Sequence, residues 1–277
     1  MKPDFTILDC PCRGQHLAEV WTYNQPPSGE VDFKFSSTSG YLRQIHRCPI
    51  CGHFISIHEM DPSDLYAGEY VESTYRDAAG IKEAFDRINA LPEDRSDNLS
   101  RVRRVVRFCR DYFPDRGQPL EVLDVGSGLC VFLHQLKKKG FLGTALDPDP
   151  RTVAHARDVV GVRAVAGDFM KLKDLDQYDL ISFNKVLEHV KEPIPMLAKA
   201  RRHLKKRGLV YVELPDGEAA LADGFGREEF FIEHHHIFSP ASAAMAAERA
   251  GFMVLALERL REPSTKFTIR AFLTPKK

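Results

Sequence analysis

The sequence predicts an α/β fold: a doubly wound sheet of seven strands with helices on both faces and an antiparallel last strand. A small cysteine-rich module precedes it. Three observations carry this reading. Beyond residue 119, short apolar runs alternate with amphipathic stretches of helical period, the pattern of a parallel sheet covered on both faces. The last two runs, "FMVLALERL" and "KFTIRAFLTP", are joined by a link too short for a parallel crossover, so the final strand must turn back. Four of the six cysteines fall within the first 51 residues, in a stretch rich in His, Pro and Gly that shows no helical period.

In chain order, short strands are expected at "HLAEVWTY" and "YLRQIHRC" within residues 10–58. From about residue 63 the pattern turns helical. "RVRRVVRFCRDYF" puts Val102, Val105, Val106, Cys109 and Tyr112 or Phe113 on one face and the arginines on the other, and "PDRGQP" ends it. "LEVLDV" is the first buried strand of the sheet, followed by a helix, "CVFLHQLKKKG", that stops at Gly140. Strand "LGTALD", helix "PRTVAHARDV" and strand "VRAVAGD" follow, then strand "YDLISFN", helix "PIPMLAKARRHLKKRG" and strand "LVYVELP". "SPASAAMAAERAG" reads as a helix capped by Ser239 with Pro240 in its first turn, and the two closing strands complete the sheet. This divides the chain into a module over 1–62, a helical linker or lid over 63–118 and a cofactor-binding domain over 119–277.

A chain of 277 residues can bury one full core plus a small appended module. Lys plus Arg and Asp plus Glu each total 39, a formal charge of zero that gives no global pull toward nucleic acid or anionic membranes. "MKPDFTILDC" lacks the apolar core of a secretory signal, and no run approaches the ~18 apolar residues of a membrane span. A soluble cytoplasmic protein with reduced thiols is expected. Nothing in the sequence sets an oligomeric state.

In doubly wound sheets, ligands sit beyond the carboxyl ends of the strands near the point where strand order reverses. The loops there carry Asp124, Gly126, Ser127 and Gly128, then Asp147 with Pro148, then Asp168 with Phe169, and Asn184. The two glycines let backbone N–H groups approach a ligand at a helix start. Asp147, about 20 residues further on, stands where an acid meets ribose hydroxyls. A dinucleotide is disfavoured, because Asp124 would repel a pyrophosphate and Val131 stands at the third glycine position. A nucleoside with a cationic amino-acid tail fits instead, and S-adenosylmethionine is such a molecule. Asp168 and Phe169 would then hold its adenine.

These residues resemble the class I S-adenosylmethionine-dependent methyltransferases, whose acid-x-Gly-x-Gly-x-Gly motif matches Asp124, Gly126 and Gly128 and departs at Cys130. The stretch "SFNKVLEHVKEPIPMLAKARRHLKKRGLVYVELP" is similar to the fourth-strand region of members acting on small molecules. The resemblance covers residues 119–277 and implies a Rossmann-like methyltransferase sheet with S-adenosylmethionine as cofactor. A narrower likeness is to sugar C-methyltransferases and surface-polysaccharide-associated relatives, which join a zinc module to this core and carry a Tyr-His-Glu-His element. In "FFIEHHHIFS", Glu233 and His234 match that element, while Phe231 and Ile232 replace its first two residues. A sugar or nucleotide-sugar acceptor is what this likeness implies.

Methyl transfer to a hydroxyl or carbon acid asks the protein for orientation and a base. His234 is the first candidate base, Glu233 its partner and His189 the second candidate. Cys10-Pro-Cys12 and Cys48-Pro-Ile-Cys51-Gly52 form two pairs that suit a structural zinc ion, with His16, His46 or His53 as replacement ligands. Tyr66, Tyr70 and Tyr75 could shield the site, as aromatic residues do in the resembling enzymes. Two alternatives stay open: an RNA methyltransferase using the module and the basic runs "RVRRVVR" and "KARRHLKKR" for phosphate contact, and a non-catalytic binding protein of the same fold. Against RNA stand the neutral charge and the outward placement expected of those runs.

Overall fold

A computed structural model describes residues 8–31, 41–58, 77–115 and 119–277; Tyr66, Tyr70 and Tyr75 lie outside the described residues. A seven-stranded sheet has the order β10-β11-β8-β7-β4-β5-β6. Its strands are β4 (Glu121–Val125), β5 (Leu142–Asp147), β6 (Arg163–Ala166), β7 (Tyr178–Asn184), β8 (Leu204–Pro215), β10 (Phe252–Arg261) and β11 (Phe267–Pro275). Strands β6, β5, β4, β7 and β8 are parallel, and β11 runs antiparallel to both β8 and β10. The chain moves outward from β4 to β6 and then returns to β7 on the other side of β4, so the order reverses between β4 and β7.

The central strands place apolar residues on both faces because both are covered, and successive residues feed opposite cores. Val122, Leu180 and Leu209 pack on one face with helix α2 (Asp97–Tyr112) and helix α3 (Val131–Lys137). Leu123, Ile181 and Val210 pack on the other with helix α5 (Pro193–Ala200) and helix α7 (Pro240–Arg249). Helix α1 (Ala78–Asn89) and helix α4 (Pro150–His155) are capped by Asp77 and Asp149, and α2 by Ser96. Ser239 forms a reciprocal capping box with Ser242 at the start of α7, as "SPAS" predicts.

Three expectations need correction. The helix predicted over "PIPMLAKARRHLKKRG" ends at Ala200 with one further turn, and β8 begins at Leu204, because Leu204 pairs with Tyr178 and Lys205 bonds Asp179. Helical propensity yields there to sheet pairing. The arginines of α2 do not all face water: Arg101 reaches behind the sheet to Glu213 on β8, and Arg104 grips Glu258 on β10. Two short strands, β3 (Phe54–His58) and β9 (His236–Ile237), were absent from the sequence reading.

These two strands build a second sheet, β1-β2-β3-β9, with β1 (Ala18–Tyr23) and β2 (Arg43–Arg47). Its fourth strand comes from the histidine-rich segment that follows a short helix α6 (Gly217–Ala220), so residues 119–277 complete the sheet that the first 58 residues begin. Tyr23, Ile45 and Phe54 pack with Ala220, Phe230 and Ile237 beneath it. Polar bonds reinforce the junction. Arg43 is fully buried, pairs with Glu30 and donates to the Phe230 carbonyl, while Glu30 accepts from the Ile232 amide. Arg249 donates to the carbonyls of Cys10 and Pro11, and Ser239 bonds the Cys51 carbonyl.

His53 and His236 meet edge to edge inside this junction, their rings tilted by 34°, with His53 Nε2 3.0 Å from His236 Nδ1. His236 Nε2 donates to the Lys191 carbonyl, so its Nδ1 accepts from His53, whose Nδ1 in turn meets Ser242 Oγ. Each neutral ring donates once and accepts once; a proton added to His236 sets two N–H groups against each other. Burial lowers both rings, His236 to about 4 and His53 well below 6.5. Separated imidazoles therefore bind protons below about pH 6.5 that the docked ones refuse. Docking of β9 on β3 should be independent of pH above about 6.5 and weaken steadily as pH falls toward 4. Hydrogen exchange of β3 and β9 amides, corrected for intrinsic rates, should show protection lost across that window, and constant protection down to pH 4.5 would contradict it.

Candidate active site

The glycine turn follows β4 at the point of order reversal. Gly126 and Gly128 are left-handed, at φ +69° and +48°, and Cys130 shares that conformation at +58°. The turn is tied down by the Gly126 and Ser127 amides, which donate to the Leu146 carbonyl, and by Gly128, whose amide donates to Asp147 at 2.9 Å. A Cβ on Gly126 would stand 2.8 Å from Val186 Cγ2, so packing demands glycine there. A Cβ on Gly128 would meet nothing within 4 Å: this glycine borders open space that a ligand can enter. Cys130 is fully buried among core residues, and burial pushes its thiol far above its usual range. It is a packing residue in a position where the left-handed backbone favours glycine.

The acids lie where the sequence placed them, in altered roles. Asp124 is only 2% exposed and accepts from Ser182 Oγ at 2.6 Å and Asn184 Nδ2 at 2.8 Å. Burial raises its carboxyl to about 7 against those two bonds, so it is not the bare charge expected opposite an ammonium group. It anchors the loop after β7 to β4. Asp147 accepts from the amides of Gly128 and Asp149, joining the first two loops, with Pro148 exposed between. Asp168 is half-buried and accepts from the Met170 amide. Phe169 corrects the adenine expectation: it is 2% exposed and packs edge-on against Phe183 in the core under this loop. Ser127 Oγ and Asn184 Oδ1 at the turn are buried and have no hydrogen-bond partner among the described residues. Such groups beside open space suit a polar ligand.

Val186 carries the loop after β7 over Gly126, and Glu188 and His189 follow Leu187 on the same loop. Glu188 is fully buried and His189 Nδ1 donates to the Glu233 carbonyl at 3.0 Å. His234 Nδ1 donates to the Glu229 carbonyl at 2.9 Å, and its ring stands edge-on to His189 with centroids 4.9 Å apart. Burial lowers His189 to about 4 and His234 well below 6.5, and it raises Glu188 to about 8 and Glu233 to about 7. The His234 and His189 rings meet and the Glu233 backbone carbonyl bonds His189, whereas His235 and His236 point into the junction with the N-terminal sheet. Glu188 was missed, although the adjacent Glu-His pair in "VLEHV" was its signal.

Behind the corner lies a charged cluster that sequence reading also missed. Glu213 is paired by Arg101 and Arg270, accepts from Tyr211 OH at 2.7 Å, and Arg270 also grips Glu262. Burial alone would raise the Glu213 carboxyl; Arg101 beside it outweighs that and holds it well below the usual range. No local pattern marks such partners, which lie 112 and 57 residues from Glu213 in the chain.

The four N-terminal cysteines converge as their spacing predicts. Cys10 Sγ lies 3.4 Å from Cys12 and 3.3 Å from Cys51, and Cys12 Sγ lies 3.6 Å from Cys48. Gly52 is left-handed and its amide donates to the Cys48 carbonyl, closing the knuckle. His53 is committed to Ser242 and His236 and is not a substitute ligand.

Strand order, glycine turn and the acid at the end of β5 define the class: a Rossmann-like sheet built to hold a nucleoside cofactor, in the arrangement of methyltransferases. Residues 93–257 match the model of a family described as a methyltransferase domain, and the chain belongs to that family. Among curated proteins it is 26% identical over 161 residues to a ubiquinone biosynthesis O-methyltransferase of Hydrogenovibrio crunogenus, and 26% identical over 122 residues to one of Caulobacter vibrioides. The alignments take in 54% and 40% of this chain and 59% and 48% of those relatives, so the chain spans about half of each. The fold is shared with a 1,6-didemethyltoxoflavin N1-methyltransferase of Burkholderia thailandensis, solved with its substrate and S-adenosylhomocysteine (TM-score 0.57, 17% identity, 88% of this chain and 98% of that one). It is also shared with the magnesium protoporphyrin IX methyltransferase of Synechocystis PCC 6803, solved with S-adenosylhomocysteine (TM-score 0.59, 16% identity, 78% and 100%). No helix among the described residues is long and apolar enough to cross a membrane.

Gly128→Val places a branched side chain into the open space beside the turn. Its left-handed backbone should cost about 1–2 kcal/mol of stability. Affinity for S-adenosylhomocysteine should fall further, by roughly 30-fold or more, about 2 kcal/mol. Calorimetric titration beside a denaturant curve checks this, and unchanged affinity would move the cofactor elsewhere.

Proposed function

We propose that the protein transfers a methyl group from S-adenosylmethionine to a hydroxyl of a small, sugar-like acceptor, free or nucleotide-linked. The observation that carries this is the turn itself: Gly128 borders open space while its amide and Asp147 bind the first two loops together. Gly126, Ser127, Gly128, Asp147, Pro148, Asp168 and Asn184 line the cofactor's place, and Asp124 holds the loops that frame it. The cofactor supplies an electrophilic methyl on sulfur. The protein aligns the acceptor oxygen in line with the carbon–sulfur bond and excludes water.

Acceptor activation is assigned to the corner of His234, His189 and Glu233. His189 lies on the loop after β7, which packs on the glycine turn through Val186, and Glu233 and His234 lie on the segment between β8 and α7 that bonds to this loop. The likeness to ubiquinone biosynthesis enzymes favours an oxygen acceptor, and the Glu233–His234 pair within "FFIEHHHIFS" favours a sugar. RNA contact through the two basic runs is disfavoured, since Arg101, Arg103, Arg104 and Lys205 from them are engaged by Glu213, Glu93, Glu258 and Glu121. Incubation with labelled S-adenosylmethionine and panels of nucleotide-sugars, catechols and RNA should label only the sugar panel. Labelled catechols would replace the acceptor class, and absence of S-adenosylhomocysteine binding would remove the activity.

The cysteine cluster is assigned to structural zinc. Four thiols this close on knuckle turns match the tetrahedral sulfur set zinc prefers, and the site braces β3 for its pairing with β9. Protein purified without chelators should carry about one zinc per chain. Cys48→Ser should lose the metal and melt at lower temperature; full-length protein of unchanged melting and no zinc would contradict the assignment.

A further inference from the structure

We propose that Glu188, His189 and His234 form a second metal site, for a divalent first-row transition ion whose open positions take the acceptor's oxygens. One ligand atom from each residue lies within 4.8 Å of the other two. Ligands about 2.1 Å from an ion and on one side of it stand about 3.0–3.5 Å apart, so closing the set takes a side-chain adjustment of up to about 2 Å.

Two features point to an ion, and a third holds their residues in place. The first is Glu188: it is fully buried, and neither carboxylate oxygen has a hydrogen-bond partner among the described residues. A carboxylate left so is expensive, and buried charges are ordinarily paired or bound to metal. The nearby cation Lys185 is turned to Thr268 Oγ1, at 3.1 Å. The second is tautomer control. His189 and His234 both donate Nδ1–H to a backbone carbonyl, Glu233 and Glu229, which fixes Nε2 as the lone-pair atom in each. Anchoring one ring nitrogen on a carbonyl is how proteins orient imidazole ligands. The third is backbone rigidity: the His235 amide donates to the Glu188 carbonyl at 2.8 Å, locking the loop after β7 to the histidine segment.

Two imidazoles and one carboxylate on one side of an ion leave its other positions open, a donor set suited to manganese, iron, cobalt, nickel or zinc rather than to calcium. Such open positions suit vicinal oxygens, as in a diol. Bound there, an acceptor hydroxyl loses its proton to solvent at lower cost. The oxygen–methyl bond then forms as the sulfur–methyl bond breaks, its electron pair staying on sulfur. This acceptor role rests on the methyl-transfer reading; the metal site itself does not.

Mn2+ is the probe, because the thiolate cluster prefers softer ions. Zinc-loaded full-length protein is titrated with Mn2+ and the free ion read by electron paramagnetic resonance. Saturable binding of a single Mn2+ is expected, with a rise in melting temperature. Glu188→Gln and His234→Ala should each weaken binding by roughly 100-fold or more, while Glu233→Gln, outside the ligand set, should stay within about 3-fold. No saturable binding, or binding unchanged in both ligand variants, overturns the site. Should either variant fail to fold, His189→Gln takes its place. S-adenosylhomocysteine calorimetry on the same samples separates the two readings: cofactor binding without Mn2+ removes only the metal site, and Mn2+ binding without cofactor removes only the methyl transfer.

Discussion

The backbone of His235 is the joint on which the candidate site depends. Its amide donates to the Glu188 carbonyl and its carbonyl accepts from Ser56 of β3. One residue thus ties together the loop after β7, the histidine segment and the N-terminal sheet. The flanking residues are sorted by this joint: His234 falls toward Glu188 and His189, while His236 enters β9 and meets His53. The cysteine cluster acts through the same path, since Cys51, Gly52 and His53 lead directly into β3. The cysteine cluster is thereby linked, through β3 and β9, to the position of the histidine segment.

Electrostatics beneath the site serve specificity more than stability. Glu213, Arg101, Arg270 and Glu262 are removed from water between α2 and the sheet, and pairing recovers what desolvation costs only because each carboxylate meets a guanidinium closely. Removing one member would leave its partner charged and buried, a loss on the order of 3–5 kcal/mol. The cluster fixes how α2 lies across β8 and β11, and it leaves Glu188 as the buried acid for which the described residues provide no pair.

Much of the fold was legible because burial writes itself into periodicity. β4, β5, β7 and the capped helix α7 appear at or near their predicted positions, since apolar runs and a Ser-Pro start have few other uses in a covered parallel sheet. The antiparallel β11 followed from the length of one loop. The glycine turn was legible for a like reason: Gly126 and Gly128 answer to local backbone geometry, and Cys130 shows the third left-handed position directly. Less legible were β3 and β9, too short to show a period, and Phe169, whose apolar ring serves a core as well as a ligand.

The sequence by itself determined the class of sheet, the turn at its reversal point, the four-cysteine cluster and the family's cofactor, because each rests on residues close in the chain or on a strict spacing. Only the tertiary structure decided which histidines belong together, that Asp124 is shielded by Ser182 and Asn184, and that Arg101 lies buried against Glu213. Those are contacts between residues 44 to 183 positions apart. Their energies come from exclusion of water by the assembled core, which no local stretch of the chain contains.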